Sequence, residues 1–299
     1  MSEPAAVVEV RGLRKSFGGT RALDGLDLTV LRGTVHGFLG PNGAGKTTTL
    51  RILLGLLHKD GGEARLLGGD PWKDAVALHR RLAYVPGDVA LWPGLTGGET
   101  VDVLGRLRGG LDPRRRDELV EAFALDPVVP VSAYSKGDRQ KVALVAALAA
   151  DVELYVLDEP TDGLDPLMSE VFRDTVSALR DDGRTVLLTS HVLAEVDAVC
   201  DRVSIIRAGR TVEAGSLRAM RHLQRLSIVA ETRHELHGIG DIPGLQDVAY
   251  DRSVLRCTVD PAHLDELLSH LSAAAVLSLE VRPPSLEEMF RRYYDGTGA

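Results

Sequence analysis

The sequence predicts an α/β fold, and three stretches carry that prediction. The apolar run Val35–Leu39 leads into Gly40-Pro41-Asn42-Gly43-Ala44-Gly45-Lys46-Thr47, after which Leu50, Leu53, Leu54 and Leu57 recur at helical spacing. A strand, a glycine-rich turn and a helix in that order are the context in which this Gly and Lys spacing forms a phosphate-binding loop. A second apolar run, 154–157, ends in Asp158-Glu159, and a third, Thr185–Ser190, ends at His191. In open α/β sheets ligands gather at the carboxyl ends of strands, where these polar residues fall.

The loop's composition follows from its task. Backbone N–H groups can close around a polyphosphate only where side chains leave room, so Gly40, Gly43 and Gly45 mark the close bends, with Asn42 and Ala44 between them. Lys46 reaches the β- and γ-phosphates as a point charge, and Thr47 offers a hydroxyl to Mg2+ with Thr48 beside it. The helix that follows points its positive end at the anion. Asp158, at the end of an apolar strand, is placed to hold the same Mg2+ opposite Thr47, usually through water. Glu159 is then positioned to orient and deprotonate a water attacking the γ-phosphate, a general-base role worth about 10²- to 10⁴-fold in rate.

In chain order, residues 7–13 and 23–30 alternate apolar with polar residues and read as strands joined by a turn at Gly18-Gly19. Phe17 lies at that turn and suits either a platform for an adenine ring or ordinary packing. Gly61-Gly62 predicts a break before a strand at 63–67, and Leu82–Val85 a core strand ending at Pro86-Gly87-Asp88. Residues 96–150 turn helical, with helices expected at 99–107, 117–123 and 140–150 and loops at Gly109-Gly110 and 127–130. The basic run 114–116 reads as a solvated helix start.

Gly209 and Gly215 punctuate the end of this first domain, predicted over 1–215, with its helical part at about 96–150. A smaller α+β domain is expected over 216–299. It would contain a linker helix at 217–226, strands at 226–230, Val254–Val259 and 276–281, and a helix at 262–271. Pro283-Pro284 sets off a terminal amphipathic helix with Leu286, Met289, Phe290 and Tyr293 on one face.

Composition excludes several classes. The formal charge of -8 argues against a general nucleic-acid binder, which needs a basic face to release counterions. Cys200 and Cys257 are too few for a disulfide framework and lack metal-ligand spacing, which fits a reducing compartment. The first ten residues carry no basic-then-apolar signal pattern, and the longest apolar run, 142–150, falls far short of the roughly 20 residues a spanning helix needs. The expectation is a cytoplasmic protein whose work at a membrane runs through partner subunits.

Tyr134-Ser135-Lys136-Gly137-Asp138-Arg139-Gln140 precedes the strand carrying Asp158, and Gly163-Leu164-Asp165 and His191 follow it. Five motifs in this order over residues 1 to about 215 resemble the ATP-binding subunits of ATP-binding cassette (ABC) transporters. The resemblance implies the cassette form of the phosphate-loop NTPase fold: a mixed sheet core, an antiparallel β subdomain and a helical subdomain. It implies ATP as the nucleotide, with Mg2+. It casts Glu159 as the catalytic carboxylate, His191 as the switch histidine that senses the γ-phosphate, and Phe17 as the adenine-stacking aromatic. Ser135 and Gly137 match the signature loop, which contacts ATP bound to the opposite subunit, and Asp165 the loop that communicates between sites. The implied partners are a second ATP-binding subunit, identical or not, and transmembrane permease subunits at the inner face of the membrane.

Two departures stand out. Lys136 and Asp138 replace a Gly and a Gln of the signature, and Gly87 falls where the family carries a glutamine, leaving Asp88 as a substitute metal or water ligand. Residues 89–95 are the candidate contact with the permease. The stretch 284–290 is similar to the tails of drug and antibiotic exporters, which supports an exporter of a hydrophobic drug, antibiotic or lipid-like compound. A nutrient-importer ATPase and a non-hydrolysing regulatory half-site are the alternatives. A cassette acting on ribosomes or DNA would need two cassettes or long coiled coils.

Overall fold

Residues 6–31 form one long antiparallel hairpin, β1 (Ala6–Phe17) and β2 (Thr20–Leu31), turned by Gly18-Gly19. In the computed structural model the described residues are 5–222, 225–234, 236, 238, 239 and 242–282. Strand β3 (Val35–Leu39) is buried throughout and delivers the chain to the glycine-rich loop and α1 (Lys46–Leu53). The apolar stripe predicts a helix through Leu57, but α1 stops at Leu53. Gly55 adopts φ +65° against the Pro71 carbonyl, a conformation and a closeness that leave no place for a β-carbon.

Strand β4 (Gly61–Leu66) pairs with β1, so Gly61-Gly62 lies inside a strand rather than before one. Gly62 takes φ +79° beneath the Gly12 carbonyl, where the β1–β4 register slips. The result is a three-stranded antiparallel sheet in the order β2-β1-β4.

After α2 (Ala75–His79), β5 (Leu82–Val85) enters a second sheet, completed by β6 (Leu154–Asp158), β7 (Thr185–Ser190), β8 (Arg202–Arg207) and β9 (Arg210–Ser216). Its order is β5-β6-β7-β3-β8-β9. The first five strands are mutually parallel. Strand β9 follows its neighbour after only Ala208-Gly209, a connection that requires an antiparallel pair and makes the sheet mixed. One apolar core joins the two sheets, with Leu13, Leu26 and Val30 of the hairpin, Phe38 of β3, Leu50 and Leu53 of α1 and Val156 of β6. Helices α6 (Pro166–Asp181) and α7 (Leu193–Val199) make the crossovers to β7 and β8.

The helical region comprises α3 (Gly97–Arg108), α4 (Pro113–Ala122) and α5 (Lys136–Leu148). Each begins earlier than its apolar pattern predicts, because a cap precedes it. Thr96 and Glu99 form a capping box, Asp112 accepts from the amides of Arg114 and Arg115, and Ser135 and Asp138 form a second box. The basic residues 114–116 occupy the first turn of α4.

The chain divides into two compact units, Met1–Ala214 and Gly215–Ala299. In the second, α8 (Leu217–His222) is followed by β10 (Leu226–Thr232), β11 (Leu245–Asp251), β12 (Val254–Val259), α9 (Leu264–Ala273) and β13 (Val276–Arg282). The strands form an antiparallel sheet in the order β11-β12-β10-β13. Ile228, Ala230, Leu255, Cys257 and Val259 pack with Leu267 and Leu271 of α9. Leu286, Met289, Phe290 and Tyr293 of the expected terminal helix lie outside the described residues.

Candidate nucleotide-phosphate site

Strand order brings the site together. Strands β6, β7 and β3 are adjacent and parallel, so Asp158, His191 and Gly40 emerge at the same edge. Leu39 pairs with Ser190, and Asp158 with Thr189.

The loop after β3 approaches its surroundings too closely for side chains. A β-carbon on Gly40 would stand 2.7 Å from the Ile206 carbonyl oxygen, and one on Gly45 would stand 2.6 Å from Leu23 Cδ2. Gly43 and Gly45 take φ +80° and +113°. Asn42 is exposed and Ala44 buried, with Thr48 partly covered in the first turn of α1. The Lys46 ammonium is buried and donates to the Gly40 carbonyl at 2.6 Å. Its Nζ also stands 3.3 Å from Glu159 Oε1.

Asp158 is almost fully buried, and its two carboxylate oxygens have different partners. Oδ2 accepts from the Thr47 hydroxyl at 3.2 Å, and Oδ1 from the Thr189 hydroxyl at 2.6 Å. Burial, with the charge of Asp158 next in effect, pushes the Tyr84 phenol up to about 12. Glu159 sits at φ +49°, a left-handed conformation unusual for a residue with a β-carbon. Its Oε2 accepts from the His191 amide at 3.2 Å and lies 2.8 Å from His191 Nδ1. Lys46, Thr47, Asp158, Glu159 and His191 thus form one connected cluster.

Five predicted residues stand apart from it. Ser135 and Gly137 have no hydrogen bond or ion pair to the cluster among the described residues. Ser135 instead caps α5, donating its hydroxyl to Asp138 Oδ2 at 2.7 Å and accepting from the Asp138 amide at 3.1 Å. The Ser135 hydroxyl, the main cause, holds the Asp138 carboxyl below the usual carboxylate range. Asp88 is exposed and is not bonded to Thr47 or Asp158, while Gly87 lies directly beside Asp158. Phe17 is half exposed, with the Lys15 ammonium 5.5 Å from the centre of its ring. Asp165 caps α6 by accepting from the Met168 amide at 2.9 Å.

Two residues in the site have no role in the sequence reading. Thr189 contacts both acids, and its only sequence signal is a polar residue two places before His191 in an apolar run. Gln140, buried in α5, donates to the Pro160 carbonyl at 2.9 Å, tying the signature helix to the loop after Glu159. That link depends on tertiary packing and has no sequence signal.

Residues 23–162 match the family model described as ABC transporter. The chain is 36% identical to the daunorubicin/doxorubicin resistance ATP-binding protein DrrA of Streptomyces peucetius over 97% of this chain and 92% of that protein. It is 38% identical to the daunorubicin resistance ATP-binding protein DrrA3 of Streptomyces coeruleorubidus, covering 95% and 94%. Among solved structures, it is similar to an ATP-binding subunit of an ABC transporter at a TM-score of 0.67 and 29% identity, covering 72% of this chain and 92% of that one. A dimeric cassette in a post-hydrolysis state with ADP and phosphate matches at a TM-score of 0.63 and 25% identity, over 71% of this chain and 99% of that one.

Proposed function

We propose, from the premise that this chain belongs to the ABC transporter family of ATP-binding subunits, that its ATPase cycle drives export of a hydrophobic drug, antibiotic or lipid-like compound through separate membrane subunits. One observation carries the hydrolytic part: the Glu159 carboxylate lies between the Lys46 ammonium and His191, where a nucleotide's terminal phosphate would meet all three. In this reading the loop amides from Gly40 to Thr48 and the Lys46 ammonium bind and orient the triphosphate. Glu159 takes the proton of the attacking water, and His191 holds Glu159 in place and registers the γ-phosphate.

The residues present fit Mg2+. Thr47 Oγ1 and Asp158 Oδ2, 3.2 Å apart, are the hard oxygen donors that ion prefers. When bound it would neutralise charge on the phosphates. Phe17 offers a half-exposed ring to the adenine. Asp88, exposed and next in sequence to Gly87, would serve that ion through water rather than directly.

Ser135 and Gly137 stand apart from the Lys46–Glu159 cluster of their own chain, which favours service to a second subunit, identical or not. Among the described residues no helix is long and apolar enough to cross a membrane. We assign the permease to separate chains, with this subunit lying peripherally on their cytoplasmic face, a reading supported by relatives that are named as ATP-binding proteins. The permease surface we assign is residues 89–95 together with a nearby open groove of about 620 Å³. Leu56, Val76 and Leu107, at its rim, are 62%, 76% and 73% exposed. The resistance roles in the names of the relatives support export over nutrient import.

The test is ATP turnover by the purified chain and by Glu159→Gln. The substitution should cost at least ~10²-fold in rate and leave ATP binding intact. Equal turnover in both forms would remove Glu159 from the role.

A further inference from the structure

We propose that Thr189 is a positioning residue that sets the geometry of both acids at the end of β6. It is fully buried on β7, directly across from Asp158 in the parallel pairing. Its neighbours Val186, Leu187 and Leu188 are apolar, and a valine would satisfy the strand's packing at position 189 equally well. The hydroxyl is instead fully engaged by the two acids. It donates to Asp158 Oδ1 at 2.6 Å and accepts from the Glu159 amide at 2.9 Å. The Thr189 carbonyl accepts from the same amide at 3.2 Å.

These bonds have two consequences. Tying Oδ1 fixes rotation of the Asp158 carboxylate, which leaves Oδ2 turned to Thr47, the pair that would hold the cation. Holding the Glu159 amide from both sides keeps that residue at φ +49°, a conformation that persists only where its surroundings enforce it. That backbone turn carries the Glu159 side chain to Lys46 and His191. A single hydroxyl therefore couples the placement of the metal-binding oxygen to the placement of the base. The inference rests on the roles proposed above for Asp158 and Glu159 and adds a residue to neither.

Thr189→Val keeps the shape and removes the hydroxyl; Thr189→Ser keeps the hydroxyl. In the full chain, Thr189→Val should lower kcat by about 10- to 100-fold while nucleotide affinity measured without Mg2+ stays within about threefold, because the phosphate loop is untouched. The gain in ADP affinity on adding Mg2+, read by calorimetry, should shrink at least ~5-fold in the same variant, a magnitude in line with loss of an outer-shell partner. Thr189→Ser should return both values to within about threefold of the parent. Parent-like kcat and Mg2+ response in Thr189→Val would overturn the proposal. So would a Thr189→Ser as impaired as the valine form. Asp158→Asn separates the layers: if it is inactive while Thr189→Val is not, only Thr189's role falls. A fully active Asp158→Asn removes the reading beneath it.

Discussion

A β-carbon added to Gly137 would stand 2.5 Å from the Gly163 carbonyl oxygen, so the start of the signature helix and the loop that follows Glu159 meet backbone to backbone. Neither side of such a contact can swing away as a side chain can. Gly137→Ala should therefore destabilise the chain by about 1–3 kcal/mol, the range for overpacking a rigid contact. Urea denaturation of both forms measures it. Unchanged stability would mean that residues 160–165 yield easily, and that the contact leaves α5 free to move apart from Glu159.

Lys136 reaches the same loop by a softer route. Its Nζ is 2.7 Å from Asp162 Oδ2, but the two side chains are 66% and 42% exposed. Water screens such a pair, and its contribution to stability should stay below about 1 kcal/mol. Lys136→Gly, which restores the signature's usual residue, should change the melting temperature little. If the lysine serves only this surface pair, turnover should stay within about threefold. A loss beyond tenfold with unchanged stability would show that Lys136 leaves Asp162 to meet phosphate.

What the sequence makes legible follows the range of the forces involved. Strands β3 and β5 are short apolar runs between turn residues, and their bounds agree with the predicted ones. Helix α6 was equally readable from the Asp165 cap, Pro166 and the stripe Met168, Phe172, Val176 and Leu179, although the motif-led prediction omits it. Strand β11 is exposed along nearly its whole length, so no apolar period announces it. The early stop of α1 depends on Pro71, and the Asp158–Thr189 contact spans a strand pairing. Partners so distant leave no local pattern, and for that reason the motif residues of the site could be named while the residue between its two acids could not.

Ser135 spends its hydroxyl on Asp138, and the capping box orders the signature loop before any partner arrives. A preformed loop favours association once ATP supplies the other half of the interface. Purified Glu159→Gln should be a monomer alone and a dimer with Mg-ATP, as measured by light scattering after size exclusion. Ser135→Ala in that background should weaken the ATP-dependent dimer by about tenfold, the worth of one charge-assisted hydrogen bond. A Glu159→Gln form that binds ATP and stays monomeric would assign this chain to a mixed pair or make closure depend on the permease.

His36 gives the cassette a pH dependence separate from its chemistry. Its ring is buried on β3 with Nε2 3.0 Å from the Ser204 hydroxyl, while Nδ1 has no hydrogen-bond partner among the described residues. Burial, reinforced by the charge of Arg202, lowers its pKa from 6.5 to about 3. The folded chain therefore refuses a proton that the unfolded chain accepts below pH 6.5. Since the unfolded state binds more protons across that window, stability falls as the pH drops from about 6.5 towards about 3, by up to ~1.4 kcal/mol per unit. Between pH 7 and pH 5 this one group should cost about 2 kcal/mol. Pairing His36→Leu with Ser204→Ala removes the titrating ring without leaving its hydroxyl partner stranded. The check is the unfolding free energy at both pH values, compared between parent and double variant, so that carboxylates common to both cancel. The parent should lose about 2 kcal/mol more than the variant. Equal losses would mean that the ring takes up its proton in the folded state, which requires the strands around β3 to open to water near neutral pH.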